Sequence, residues 1–145
     1  MGKKRVKRDM IVYAIVSKEE NTVYVGKTGA GNHYEAYKNS VRGRKMETKA
    51  FFEAADAKNA FPPMYLLSEG TVTEQEAYKH MVIWTRYFLD KGMVLLNYPG
   101  TQAYARDLLP KNQTIYDQLK DLPIERVLQD DYILVASYTR RKHRA

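Results

Sequence analysis

The chain has 145 residues, with 24 Lys and Arg against 17 Asp and Glu, 12 tyrosines and no cysteine. That length suits one domain with its own core, and 44% apolar with 28% charged residues is a globular composition rather than a disordered one. The missing thiols exclude disulfides, thiolate zinc, iron–sulfur clusters and cysteine nucleophiles, and no apolar run approaches the roughly 18 residues of a membrane span, so a soluble, cytoplasmic protein without a membrane partner is expected.

Residues 1–9 read as a basic arm, with Lys3, Lys4, Arg5, Lys7 and Arg8 and a single acid, Asp9. Met10 to Val16 is apolar and rich in β-branched residues, Lys18 to Asn21 is a polar turn, and Thr22 to Val25 resumes a strand pattern, which together predict a β-hairpin. Tyr34, Tyr37 and Val41 are spaced for a short helix, and residues 49–58 for a second. Pro62 and Pro63 end that helix, and Met64 to Leu67 predicts a third strand. Thr73 with Glu76 three residues later is a capping box that opens a long helix to Lys91, stopped by Gly92. Val94 to Leu96 is apolar and ends in the turn signal Asn97-Tyr-Pro-Gly100. Beyond it, residues 101–137 form an appendage with helices expected near Thr114–Leu122 and Pro123–Gln129 and a strand near Tyr132–Ala136. Residues 138–145 are a second basic tail. The fold class expected is α+β, a small three-stranded sheet based on an antiparallel hairpin and flanked by helices, with a C-terminal helical appendage.

The net charge of +7 is unevenly distributed. Nine basic residues and no acid lie in residues 1–8 and 138–145, leaving 15 basic against 17 acidic residues between them, a balance of −2. Within that body, residues 27–49 carry Lys27, Lys38, Arg42, Arg44, Lys45 and Lys49 against Glu35 and Glu47. Basic tails are either solvated arms or phosphate contacts; the internal stretch points more firmly to nucleic acid. The segment Gly26-Lys-Thr-Gly-Ala-Gly31 is glycine-rich, but its order is reversed relative to a P-loop.

Val12-Tyr13 in the first strand and Tyr24-Val25-Gly26-Lys27-Thr28 in the second, eleven residues apart from tyrosine to tyrosine, resemble the GIY-YIG nuclease domain. Ala77, Trp84 seven residues on, and Leu95-Leu96-Asn97 after a glycine are similar to that family's third helix and closing strand, so the resemblance covers about residues 10–98. It implies a sheet with a shallow phosphate-binding cleft, where paired tyrosines position water and phosphate. An arginine in the first helix neutralises charge, a histidine or tyrosine one turn later assists, and a glutamate of the third helix holds one divalent ion.

Carried over residue by residue, Tyr13 and Tyr24 fill the tyrosine positions and Gly26 allows close backbone approach, while Ile11 stands where glycine is usual. Two tyrosines on neighbouring strands also read simply as a cross-strand pair over a core. The arginine position falls on His33 or Tyr34, and the assisting position on Tyr37. Histidine is a poorer permanent cation than guanidinium, and Arg42 or Arg44 would have to reach over instead. The glutamate position is Met81, whose thioether is no ligand for magnesium or manganese. Ala77, Met81, Trp84 and Phe88 lie at helical spacing and read as an apolar core stripe.

The expected function is therefore a GIY-YIG-like protein that binds DNA or RNA with a degenerate, weakened or inactive nuclease site. Tyr13, Tyr24, His33 and Tyr37 are the catalytic candidates, and Gly26, Lys27, Lys38, Arg42, Arg44 and Lys45 the candidate nucleic-acid contacts. No protein metal ligand is identified; Mg or Mn would be the cofactor of an active form. The alternatives are a divergent endonuclease, with an acid from elsewhere holding the metal, and a protein-interaction module of a phage or mobile element that engages a host protein.

Overall fold

The structure, a computed structural model, describes residues 6–29, 62–97 and 99–128. The helices expected over residues 34–41 and 49–58, and the strand expected over 132–136, lie outside them. The first strand is β1 (Arg8–Ser17), where the β-branched run favours extended backbone. A turn at residues 18–21 returns the chain as β2 (Thr22–Gly29). Asn21 takes the left-handed conformation there, at φ 54°, which its short polar side chain tolerates. Its Nδ2 donates to the Gly92 carbonyl at 3.0 Å, and its own carbonyl accepts from Val94 N at 2.9 Å.

β3 (Met64–Val72) pairs antiparallel with the other edge of β1, shifting register between Val12 and Tyr13. The ladder carries β3 five residues past the apolar run that predicted it, because Arg8 to Val12 supply partners for its polar half. A fourth strand, β4 (Val94–Leu95), runs parallel to β2. The sheet is therefore mixed and four-stranded, in the order β3-β1-β2-β4, where three strands were expected.

Helix α1 (Glu74–Asp90) has the expected ends. The Thr73 side chain accepts from Glu76 N at 3.1 Å, and the Glu76 carboxylate accepts from Thr73 N at 3.2 Å. At the other end Gly92 N donates to Leu89 O at 3.0 Å and Met93 N to Phe88 O at 3.1 Å, the paired bonds of a Schellman stop, with Gly92 at φ 81°. Helix α2 (Pro99–Arg106) stands where a turn was expected, α3 (Pro110–Leu119) begins four residues earlier than expected, and α4 (Ile124–Val127) is short.

Strand alternation sorts the sheet into two faces. Val12, Ala14, Val16, Val23, Val25 and Tyr65 point at α1, whose Ile83, Trp84, Tyr87 and Phe88 complete the core. Trp84 rotates its indole so that Nε1 donates to Ser68 Oγ at 2.7 Å. The other face carries Ile11, Tyr13, Ile15 and Met64, all at most 5% exposed. α2 and α3 pack on the outer side of α1, so the appendage docks on the domain. Arg86 of α1 fixes α2 by donating Nη1 to the carbonyls of Ala105 (3.2 Å) and Arg106 (2.9 Å). Tyr116 of α3 donates its hydroxyl to Asp90, which also holds Arg86 Nε at 2.8 Å. Among the described residues no helix is long and apolar enough to cross a membrane.

Candidate functional site

The two candidate tyrosines come together through the hairpin register. Tyr13 stands opposite Gly26 and Ile15 opposite Tyr24, so both phenols belong to the sheet face turned away from α1. They are diagonal neighbours, a separation of roughly 7–8 Å between Cα atoms that aromatic side chains can span. Tyr13 is buried at 5% exposure and Tyr24 is half-buried. The Tyr13 ring lies against the Gly26 backbone, since a Cβ built on Gly26 would collide with its Cζ and Oη. Glycine at 26 is thus a packing requirement of Tyr13: any side chain there would lift the phenol off the sheet.

Asn97 fixes the strand that carries Tyr24 and Gly26. Its side chain is 5% exposed and lies beside Val25, accepting from Val25 N at 3.0 Å and donating to Val25 O at 2.7 Å. The carboxamide imitates one more residue of a parallel strand, continuing the bond from Leu96 N to Val23 O at 2.9 Å. Gln102 of α2 in turn caps the Asn97 carbonyl at 2.9 Å. The Leu-Leu-Asn run thus sets the edge of the hairpin.

Lys27 sits elsewhere. It is opposite Val12, on the α1 face, and its Nζ meets Glu74 Oε2 at 2.9 Å while Arg8 Nη2 meets Glu74 Oε1 at 2.5 Å. The Lys27 hydrogen bond and charge, ahead of the Arg8 contributions, hold the Glu74 carboxyl below its usual range against the opposing effect of burial. Glu74 also falls in the first turn of α1, where the helix dipole favours an anion. This three-residue cluster was not anticipated. Its signal was present: Tyr24 and Lys27 are three residues apart on one strand, an odd number, and so face opposite ways.

Met81 packs partly buried against the core on the α1 side, away from the two phenols. His80 beside it has its imidazole pKa lowered, first by burial and then by Lys79, with Glu76 opposing, which makes it a neutral group near pH 7 rather than a phosphate cation. The adjacent cavity is only about 60 Å³, room for water at most. Among the described residues no three His, Asp or Glu side chains converge as metal ligands, and Glu74 already faces two cations. The described donors do not fit a magnesium or manganese site beside Tyr13 and Tyr24. His33, Tyr37, Lys38, Arg42, Arg44 and Lys45 lie outside the described residues.

No family model, curated protein or solved structure matches the chain.

Proposed function

We propose that the chain binds nucleic acid through a GIY-YIG-like hairpin surface and does not depend on metal-assisted hydrolysis. The observation that supports this most is the pairing of Tyr13 with Gly26: a glycine leaves room for a buried phenol, and a second phenol, Tyr24, stands diagonal to it on the same sheet face. Lys38, Arg42, Arg44, Lys45 and Lys49 follow this strand in the sequence and supply the charge that phosphate requires. Hydrolysis is set aside because thioether sulfur stands where the resemblance puts the metal-binding carboxylate, and losing the only protein ligand of a metal removes water activation.

The test is a salt titration of binding to mixed-sequence DNA and RNA, with plasmid nicking assayed in parallel in magnesium and manganese. Affinity should fall steeply, by orders of magnitude between about 50 and 200 mM salt if six or more phosphates are contacted, without nicking. Absence of binding at low salt would overturn the proposal and favour a protein partner. Robust nicking that disappears in Tyr13→Phe would instead establish a working endonuclease.

A further inference from the structure

The strand ladders bring the two basic segments of the sequence to one place. Arg8, the last cation of the N-terminal arm, opens β1 opposite Val72, the residue before the Thr73 cap of α1. Lys27, the first cation of the 27–49 stretch, stands opposite Val12 near the end of β2. Arg8 and Val12 are four residues apart on one strand, so both cations lie on the α1 face. Their ends meet a single carboxylate: Arg8 Nη2 reaches Glu74 Oε1 at 2.5 Å, and Lys27 Nζ reaches Glu74 Oε2 at 2.9 Å.

Two cations against one anion leave this cluster at +1. It is open to solvent, with side-chain exposures of 57% for Arg8, 54% for Glu74 and 25% for Lys27. The helix does not need Glu74 as a cap, because Thr73 and Glu76 already close its first turn, and ion pairs at this exposure contribute little to the stability of a fold. A guanidinium and an ammonium that meet two oxygens of one anion are also the donors that a phosphate takes. Here the anion comes from within the chain, where a fixed neighbour competes at high effective concentration.

From two cations of separate basic segments that share one exposed carboxylate, we infer that Glu74 is an electrostatic brake on nucleic-acid binding. It occupies Arg8 and Lys27 in place of a backbone phosphate, and its removal adds both to the binding surface. The inference rests on the nucleic-acid reading above and names the residue that limits it. The ion pairs and a phosphate contact use the same donors, so the effect of Lys27 on binding depends on which residue stands at position 74.

The experiment measures the slope of log affinity against log salt for a mixed-sequence duplex with the full chain, in wild type, Glu74→Gln, Lys27→Gln and the double variant. Glu76→Gln is the control: it removes the same charge from the same turn, and glutamine still serves a capping box. Glu74→Gln should steepen the slope by about 1.8, two contacts at about 0.9 each. Lys27→Gln should leave the wild-type slope unchanged but take about 0.9 back from that of Glu74→Gln. Reading Lys27→Gln within each background cancels a change in stability common to both. A slope in Glu74→Gln equal to wild type, or matched by Glu76→Gln, would overturn the brake and leave the nucleic-acid reading standing. An equal loss on Lys27→Gln in both backgrounds would do the same. Failure of every variant to bind at low salt would overturn the two together.

Discussion

Asn97 shows how one side chain can carry a strand edge. Its carboxamide satisfies both backbone groups of Val25 at a buried position, so Asn97→Ala should leave an N–H and a C=O unpaired. At roughly 1–3 kcal/mol for each such group, the expected loss is about 3 kcal/mol, read as a lower urea midpoint at unchanged slope. A loss under about 1 kcal/mol would mean that water takes over the two bonds. The asparagine was legible in the sequence as the last letter of Leu-Leu-Asn, but its bond pattern was not, because nothing local says which strand it meets. Tyr87 and Tyr116 make a different point. Burial first, then the Glu125 charge, pushes the Tyr87 pKa up to about 12; burial first, then the bond to Asp90, does the same for Tyr116. Both are raised above the ordinary 10, so the folded state keeps protons that the unfolded state gives up. Their stabilising contribution is complete below pH 10 and should be lost as pH climbs from about 10 to about 12. Tyrosinate absorbance should show these two groups among the last of the 12 tyrosines to ionise. Ionisation of every described tyrosine near pH 10 without unfolding would contradict this.

At the scale of elements, α1 was readable because both of its ends carry local chemistry. A Thr73→Ala change removes the acceptor for Glu76 N and should cost about 1 kcal/mol, in the usual range of 0.5–2 for caps. Thr73→Ser, which keeps the oxygen, should recover most of it in the same denaturation experiment; equal losses in both variants would show that the cap is not what stabilises the helix. α2 was missed for the converse reason. Pro99 and Gly100 read as a turn, yet proline fits the first turn of a helix, where its missing N–H would have no partner anyway. What holds its last turn is non-local, the Arg86 bonds to the carbonyls of Ala105 and Arg106, while Gln102 reaches back five residues to Asn97. The polar half of β3 was invisible to pattern reading on similar grounds. Ser68 to Val72 lack strand-like alternation and extend only because β1 has residues opposite them.

At the scale of the whole molecule, the division of the sheet into two faces decides which charges are available to a polyanion. The period-2 rule places Tyr13 and Tyr24 together and sends Lys27 to the α1 side, a separation that a reading by proximity along the chain does not capture. With Arg8 and Lys27 both bound to Glu74, neither is a ready phosphate contact. The cationic residues left in the internal basic stretch are Lys38, Arg42, Arg44, Lys45 and Lys49. Each phosphate contact that is lost lowers the slope of log affinity against log salt by about 0.9 on duplex DNA. Lys27→Gln should therefore leave that slope unchanged, with a stability loss within the roughly 1 kcal/mol of an exposed ion pair. Arg42→Gln and Arg44→Gln should lower it by about one contact each. A drop for Lys27→Gln equal to theirs would show that nucleic acid draws Lys27 away from Glu74, and the α1 face would then belong to the binding surface.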